Sequence, residues 1–219
     1  PYTSSAASDV YKRQELGIEW DGEFVKGGEL CQPSSKLDCK NSGTALRFLI
    51  GQAATCDFKI VLDGDSSLRA RSSLHLTKSL GIEFNSKSDD FEYPMEITGP
   101  FNLKSVEIDV SKTSQFHSSV LLMAPRTDGF SITTKGDPVS RKHSDLTWNL
   151  CKSTGAEIPG QPWNVSCPDV TIPPDASMMA FAKLANLNVE NAPDSSDLIG
   201  HFLDSTDLRD SNDLISPMA

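Results

Sequence analysis

Long apolar runs are missing from this sequence. Nowhere in its 219 residues do about 18 apolar residues follow one another, so no membrane-spanning helix is expected. The N-terminus also lacks the succession of charge, apolar stretch and small residues that marks a secretory signal, which leaves the cytoplasm as the expected compartment. Cysteine is scarce. Cys31, Cys39, Cys56, Cys151 and Cys167 are odd in number and none stands in a C-x-x-C pair, which argues against a disulfide framework and a zinc knuckle. They are expected to be reduced and mostly structural. Positive charge is short as well: 20 Lys and Arg against 30 Asp and Glu leave a net charge of −10. Nucleic acid and anionic membranes, which require clustered basic residues over a broad surface, are therefore not expected as partners. No G-x-S-x-G elbow is present for a serine hydrolase. The sequon Asn164-Val165-Ser166 carries no weight without a secretory signal.

What is present is enough for a core, since 37% of the residues are hydrophobic. The first fourteen residues, PYTSSAASDVYKRQ, show no clear period, and helical patterning begins abruptly at LGIEW, so 1–14 read as a non-native or disordered leader. The C-terminal SNDLISPMA stops without a cap, and both ends read as those of a fragment. From 158 the sequence IPGQPWNVSCPDVTIPPDAS is rich in Pro and small polar residues and reads as a crossing between domains. The boundaries expected are therefore one domain over 15–168 and the start of a second over 169–219.

The chain resembles itself. NSGTALRFLI from 41, DGDSSLRARSS from 63 and LGIEF from 80 are echoed by TSQFHSSVLL from 113, KGDPVSRKHS from 135 and TGAEI from 154. The offset from 41 to 113 is 72 and that from Gly64 to Gly136 is again 72. Each unit reads as small polar caps before an apolar helix (Ala45–Ile50, Phe116–Met123), a short β-rich run (FKIVLDG, FSITTKG), and a second helix. That helix carries Leu74, Leu76 and Leu80, or Leu146, Trp148 and Leu150, and closes on a glycine suited to a left-handed C-cap. Strands such as MEITGPF and VEIDV follow. The fold class expected is α/β (α+β), built from repeated βαβαββ units.

Helix N-termini carry about half a positive charge and free N–H groups, so they bind anions even in an acidic protein. Two equivalent helices open with N-S-G-T and T-S-Q, and a third starts within D-S-S-L-R. Arg47, Arg71, Arg141 and Lys142 lie in or just past these starts and could supply charged donors. Each cap alone reads more readily as structural. Gly43 is harder to explain that way, because glycine costs a helix about 1 kcal/mol against alanine and so implies a close approach to the backbone. Gln115 is a poor cap filler whose amide could donate and accept across a site at once. Asp63, Asp65, Asp204, Asp207, Asp210 and Asp213 are grouped carboxylates, but their spacing fits no calcium loop; solvated faces and no metal are expected.

NSGTALR, GDSSLRAR, TSQF, PVSR and the final DLRDSNDLISPMA, in this order, resemble the EPSP synthase family, from about Glu15 to the end. The resemblance implies two domains of three βαβαββ units each, an inside-out α/β barrel with buried helices and sheets outside, and substrates in the cleft between domains. It implies transfer of the enolpyruvyl group of phosphoenolpyruvate to the 5-hydroxyl of shikimate 3-phosphate, with no cofactor and no metal, and small-molecule partners for an expected monomer. Carried over residue by residue, Thr113, Ser114, Gln115 and Ser140 would hold shikimate 3-phosphate. Asn41, Gly43, Arg71 and Gln115 would line the phosphoenolpyruvate site. Asp213 would contact the shikimate hydroxyls and accept a proton, with Asp210 as the register alternative and Gln115 between the two ligands. Ser72 stands where the family usually has proline and His143 where many members have tyrosine. Basic residues that complete the family's phosphoenolpyruvate site have no counterpart in this chain, so it is expected not to turn over alone. The alternatives are a UDP-N-acetylglucosamine enolpyruvyl transferase and a non-catalytic anion-binding protein of the same fold.

Overall fold

A computed structural model describes residues 11–20, 24–82, 84–88, 91–138 and 141–168. Residues 11–15 are helical (α1) and lead into a short antiparallel ribbon, β1 (Glu19–Trp20) with β2 (Val25–Lys26). The next elements are β3 (Leu37–Asp38), α2 (Gly43–Ala54), β4 (Ile60–Asp63), α3 (Ser66–Arg69), α4 (Leu74–Ser79), β5 (Phe84–Ser88) and β6 (Phe91–Ile97). They form one four-stranded sheet in the order β3-β4-β6-β5, in which β3 and β4 are parallel and the other pairs antiparallel. After these come β7 (Ser105–Asp109), α5 (Ser114–Met123), a 3₁₀ turn (Ala124–Arg126), β8 (Ser131–Lys135) and α6 (Arg141–Ser153), with β7 and β8 parallel. The fold is mixed α/β. Among the described residues no helix is long and apolar enough to cross a membrane.

Local chemistry accounts for the helix limits. Ser42 caps α2 by accepting the Ala45 N–H at 3.2 Å, Thr113 caps α5 by accepting that of Gln115 at 3.2 Å, and Asp65 caps α3 by accepting that of Leu68 at 2.9 Å. Gly81 and Gly155, with φ of +61° and +108°, follow the last turns of α4 and α6, where the left-handed backbone that ends a helix strains any residue with a Cβ. Helix α2 turns Leu46, Ile50, Ala53 and Ala54 inward, and α5 turns Phe116, Val120 and Met123 to the same core. Strand β4 lies between β3 and β6, and its Ile60 and Leu62 meet Met95 and Ile97 of β6. Phe101 and Phe130 join edge to face, 5.0 Å between centroids.

Two expectations are changed by the packing. Asp63, read as solvated, is 2% exposed at the end of β4. Its carboxylate accepts from Arg69 Nε at 3.0 Å and Nη2 at 2.8 Å, Lys36 Nζ at 2.7 Å and the Gly64 N–H at 2.8 Å. Leu146 and Leu150, read as the inward face of α6, are 61% and 53% exposed. The helix instead turns Cys151 toward Leu121 of α5 and joins it through a Ser118–Thr147 hydroxyl pair at 2.8 Å. Lys40, with φ of +51°, is a non-glycine residue in the left-handed region, held there because its carbonyl accepts the Asp65 N–H at 2.9 Å. Its ion pair with Asp38 at 2.7 Å is exposed and stabilises little. Lys40→Gly should therefore raise stability by about 0.5–1 kcal/mol, read as a higher midpoint in urea; a lower midpoint would show that the ion pair outweighs the strain.

Cys39, Cys56 and Cys151 are buried, Cys31 and Cys167 are exposed, and none of the five forms a disulfide. Burial pushes the Cys56 and Cys151 thiols above their ordinary pKa, which suits packing rather than reactivity.

Candidate anion site at the helix starts

The starts of α2 and α5 meet. Gln115, on the first turn of α5, donates its Nε2 to Thr44 Oγ1 on the first turn of α2 at 2.7 Å, while its Oε1 accepts from Arg47 Nη1 one turn further along α2. The amide donates and accepts across the helix pair, as the sequence suggested. The first turn of α6 lies alongside, with Ser144 Oγ donating to the Ser114 carbonyl at 3.5 Å. Arg71, two residues beyond α3, reaches the same place: its Nη2 donates to the Asn41 carbonyl at 2.8 Å and also to Asn41 Oδ1, and its Nε donates to the Ser67 carbonyl at 3.3 Å.

Gly43 is the point of convergence. A Cβ there would stand 3.3 Å from Arg71 Nη1, 3.5 Å from Arg47 Nη1 and 3.7 Å from Gln115 Oε1. What approaches the backbone at this glycine is thus a pair of guanidinium groups. Like charges gathered at the positive end of a helix repel unless an anion joins them. Among the described residues no carboxylate pairs with either: Arg71 meets carbonyl oxygens, and Arg47 meets Gln115 and the face of Phe116, 5.3 Å from the ring centroid. Arg47 Nε is buried without a hydrogen-bond partner. Burial holds the Arg47 pKa below its ordinary value, and the charge of Arg71 acts in the same direction. Guanidinium stays charged regardless, so the arrangement is a fixed two-cation cradle.

Helix–helix contact sets the spacing. Ser119 Oγ, fully buried on α5, donates to the Arg47 carbonyl at 2.6 Å, and Gln52 Nε2 of α2 donates to the Leu122 carbonyl at 3.1 Å. These bonds fix α2 against α5, the first of them at Arg47 itself and one turn past Gln115. Sequence reasoning named Asn41, Gly43, Arg47, Arg71 and Gln115, and the fold gathers all five. Thr113 and Ser114 stand at the start of α5 beside them, while His143 is exposed on α6. Ser140, Asp210 and Asp213 lie outside the described residues. Thr44 and Ser119 were passed over because a threonine in a first turn and a serine in mid-helix carry no signal until a partner helix is beside them. Among the described residues no group of three or more His, Cys, Asp or Glu side chains could hold a metal ion.

The EPSP synthase (3-phosphoshikimate 1-carboxyvinyltransferase) family model matches residues 13–196. The chain belongs to the EPSP synthase family. It is 35% identical over 186 residues to the 3-phosphoshikimate 1-carboxyvinyltransferase of Caldicellulosiruptor saccharolyticus, covering 76% of this chain and 42% of that protein. With the enzyme of the same name from Methanococcoides burtonii it shares 36% identity over 149 residues, 64% of this chain and 35% of the relative. The solved EPSP synthase of Acinetobacter baumannii superimposes with a TM-score of 0.67 at 23% identity, over 82% of this chain and 44% of that structure, a likeness of fold. The chain thus spans less than half the length of these relatives.

Proposed function

We propose that this EPSP synthase family chain carries the shikimate 3-phosphate-binding part of a 3-phosphoshikimate 1-carboxyvinyltransferase. The whole enzyme would join phosphoenolpyruvate to shikimate 3-phosphate on the way to chorismate and the aromatic amino acids. The shikimate 5-hydroxyl adds to C2 of phosphoenolpyruvate while C3 takes up a proton, and the tetrahedral adduct then loses a C3 proton and expels inorganic phosphate to leave the enolpyruvyl ether. The observation that carries this reading is the pair Arg47 and Arg71 at Gly43, in a protein of net charge −10, with no carboxylate pairing with either among the described residues. Fixed guanidinium groups suit phosphate departure because their charge is in place before the leaving group develops its own.

In this reading Thr113, Ser114 and Ser140 hold the shikimate phosphate, and Asn41, Gly43 and Arg71 hold the phosphoenolpyruvate side. Gln115 stands between the two ligands, and Asp213 (or Asp210) accepts the hydroxyl proton. Residues 15–168 form most of one domain of βαβαββ units in an inside-out barrel, and 169–219 open a second. Residues 11–14, read from the sequence as part of a leader, instead belong to helix α1, where Lys12 is buried. The element order β3-α2-β4-α3-α4-β5-β6 followed by β7-α5-β8-α6 supports the repeat. The protein acts in the cytoplasm as a monomer on small molecules, without nucleic acid, membrane, metal or organic cofactor.

Calorimetry tests this. Shikimate 3-phosphate should release heat with the 219-residue chain and UDP-N-acetylglucosamine should not. The reverse preference, or no heat with shikimate 3-phosphate from a chain whose circular dichroism is that of a folded protein, would overturn the assignment. Gln115→Ala, which removes the only hydrogen-bond partner of the Arg47 guanidinium among the described residues, should weaken shikimate 3-phosphate binding by about 1–3 kcal/mol. Unchanged affinity in that variant would place the site elsewhere.

A further inference from the structure

Arg71 stands on the connection between α3 and α4, exposed and without a carboxylate partner among the described residues, yet its guanidinium is delivered to Asn41 and Gly43 from thirty residues away in sequence. The connection is anchored from behind by two consecutive residues of β6. Tyr93, 2% exposed, donates its hydroxyl to Ser73 Oγ at 3.1 Å and shares the same proton with the Arg71 carbonyl at 3.4 Å. Glu92 Oε2 accepts the Ser73 N–H at 2.9 Å. Together these contacts grip both ends of the segment 71–73, while the core holds β6 through Met95 and Ile97.

We infer that Tyr93 and Glu92 are positioning residues for Arg71, a brace that holds its guanidinium in the anion cradle; this rests on the anion-site reading above. A buried tyrosine must satisfy its hydroxyl somewhere, and doing so would by itself be unremarkable. The choice of acceptors is informative here, because they are the carbonyl of the residue that bears the guanidinium and the side chain two residues on. The second anchor, Glu92, reaches the same residue independently. A side chain that must meet an anion loses affinity in proportion to the conformations it samples beforehand, so rigidity in this backbone translates into binding. Burial pushes the Tyr93 phenol above its ordinary pKa, which keeps the O–H as a donor through the neutral range.

The test uses the 15N-labelled 219-residue chain, reading the arginine Nε–H resonances by NMR with inorganic phosphate as the probe anion. Tyr93→Phe keeps the ring and removes the donor. The heteronuclear NOE of Arg71 Nε–H should fall while that of Arg69, bound to Asp63, stays unchanged, and phosphate affinity read at Arg71 should drop about 3- to 10-fold. Glu92→Ala should do the same and Glu92→Gln, which retains an acceptor oxygen, should restore it. If Tyr93→Phe does not fold, the Glu92 pair decides alone. A lowered melting temperature with an unaltered Arg71 NOE would overturn the brace and leave Tyr93 a packing residue. If the wild-type chain shows no phosphate-dependent change at Arg47 or Arg71, the anion-site reading falls, and the ligand-free NOE comparison still decides the brace.

Discussion

Gly51→Ala should destabilise the protein by about 2–4 kcal/mol and abolish measurable shikimate 3-phosphate binding, although alanine is the better helix former. Propensity favours the substitution by about 1 kcal/mol. Against it, a methyl group at Gly51 would lie 2.5 Å from Ser119 Oγ and 2.9 Å from the Ser119 carbonyl oxygen. The hydroxyl can rotate away only by giving up its 2.6 Å bond to the Arg47 carbonyl inside the core, a loss of about 1–3 kcal/mol for a buried polar group. The carbonyl belongs to the α5 backbone and can retreat only if the helices part. Parting them breaks the Thr44–Gln115 and Arg47–Gln115 bonds that define the site. The measurement is a urea melt paired with calorimetry. Adding Ser119→Ala to Gly51→Ala should recover part of the stability, because it removes one of the two clashes, so the pair should be non-additive. A Gly51→Ala variant as stable as the parent would show that α2 and α5 can separate freely, and the site geometry would no longer follow from their packing.

Asp63→Asn should cost about 2–3 kcal/mol at neutral pH, and the cost should vanish in acid. Removing one partner of a buried ion pair costs about 3–5 kcal/mol when the remaining charge stays buried. Arg69 and Lys36, at 42% and 56% side-chain exposure, can return to water, which places the value at or below the lower end. Burial raises the Asp63 pKa. The hydrogen bonds from Arg69, Lys36 and the Gly64 N–H outweigh it and hold the carboxyl below its ordinary 3.8. A carboxylate whose folded-state pKa is depressed contributes its stability above the unfolded value and loses it as pH falls through the folded value. The parent and the Asp63→Asn variant should therefore differ fully above about pH 4 and converge below it as Asp63 protonates. Urea midpoints measured between about pH 2 and 7 give the curve. A difference that persists unchanged at the acid end would mean that shape at this position, and not charge, is what matters. The same substitution should loosen the start of α3, since Asp63 orients Arg69 and the adjoining Gly64, and through them the approach to Arg71.

In the proposed reading a bound anion would be neutralised by a few local donors, which is how a chain of net charge −10 would meet a phosphorylated acid. Helix starts supply partial charge, two arginines supply whole charges, and the rest of the surface need not change. The arginines are placed by different means: Arg47 by the register of α2 against α5, and Arg71 by a connection tied to β6.

The sequence by itself was sufficient for whatever depends on neighbours along the chain. Caps at Ser42, Asp65 and Thr113, glycine stops at Gly81 and Gly155, the apolar stripes of α2 and α5 and the strands at 60–63 and 131–135 are local, governed by backbone geometry and by side chains three or four residues apart. The motif order pointed to five of the residues that meet at Gly43. Only the tertiary structure decided that Asp63 is buried in an ion pair, that Leu146 and Leu150 face outward, that Ser119 locks Arg47, and that Tyr93 and Glu92 stand behind Arg71. Each of those facts joins residues 6 to 72 positions apart or turns on which face of a helix finds a partner. Hydrophobic burial does not record, in any short window of sequence, what will lie on its other side.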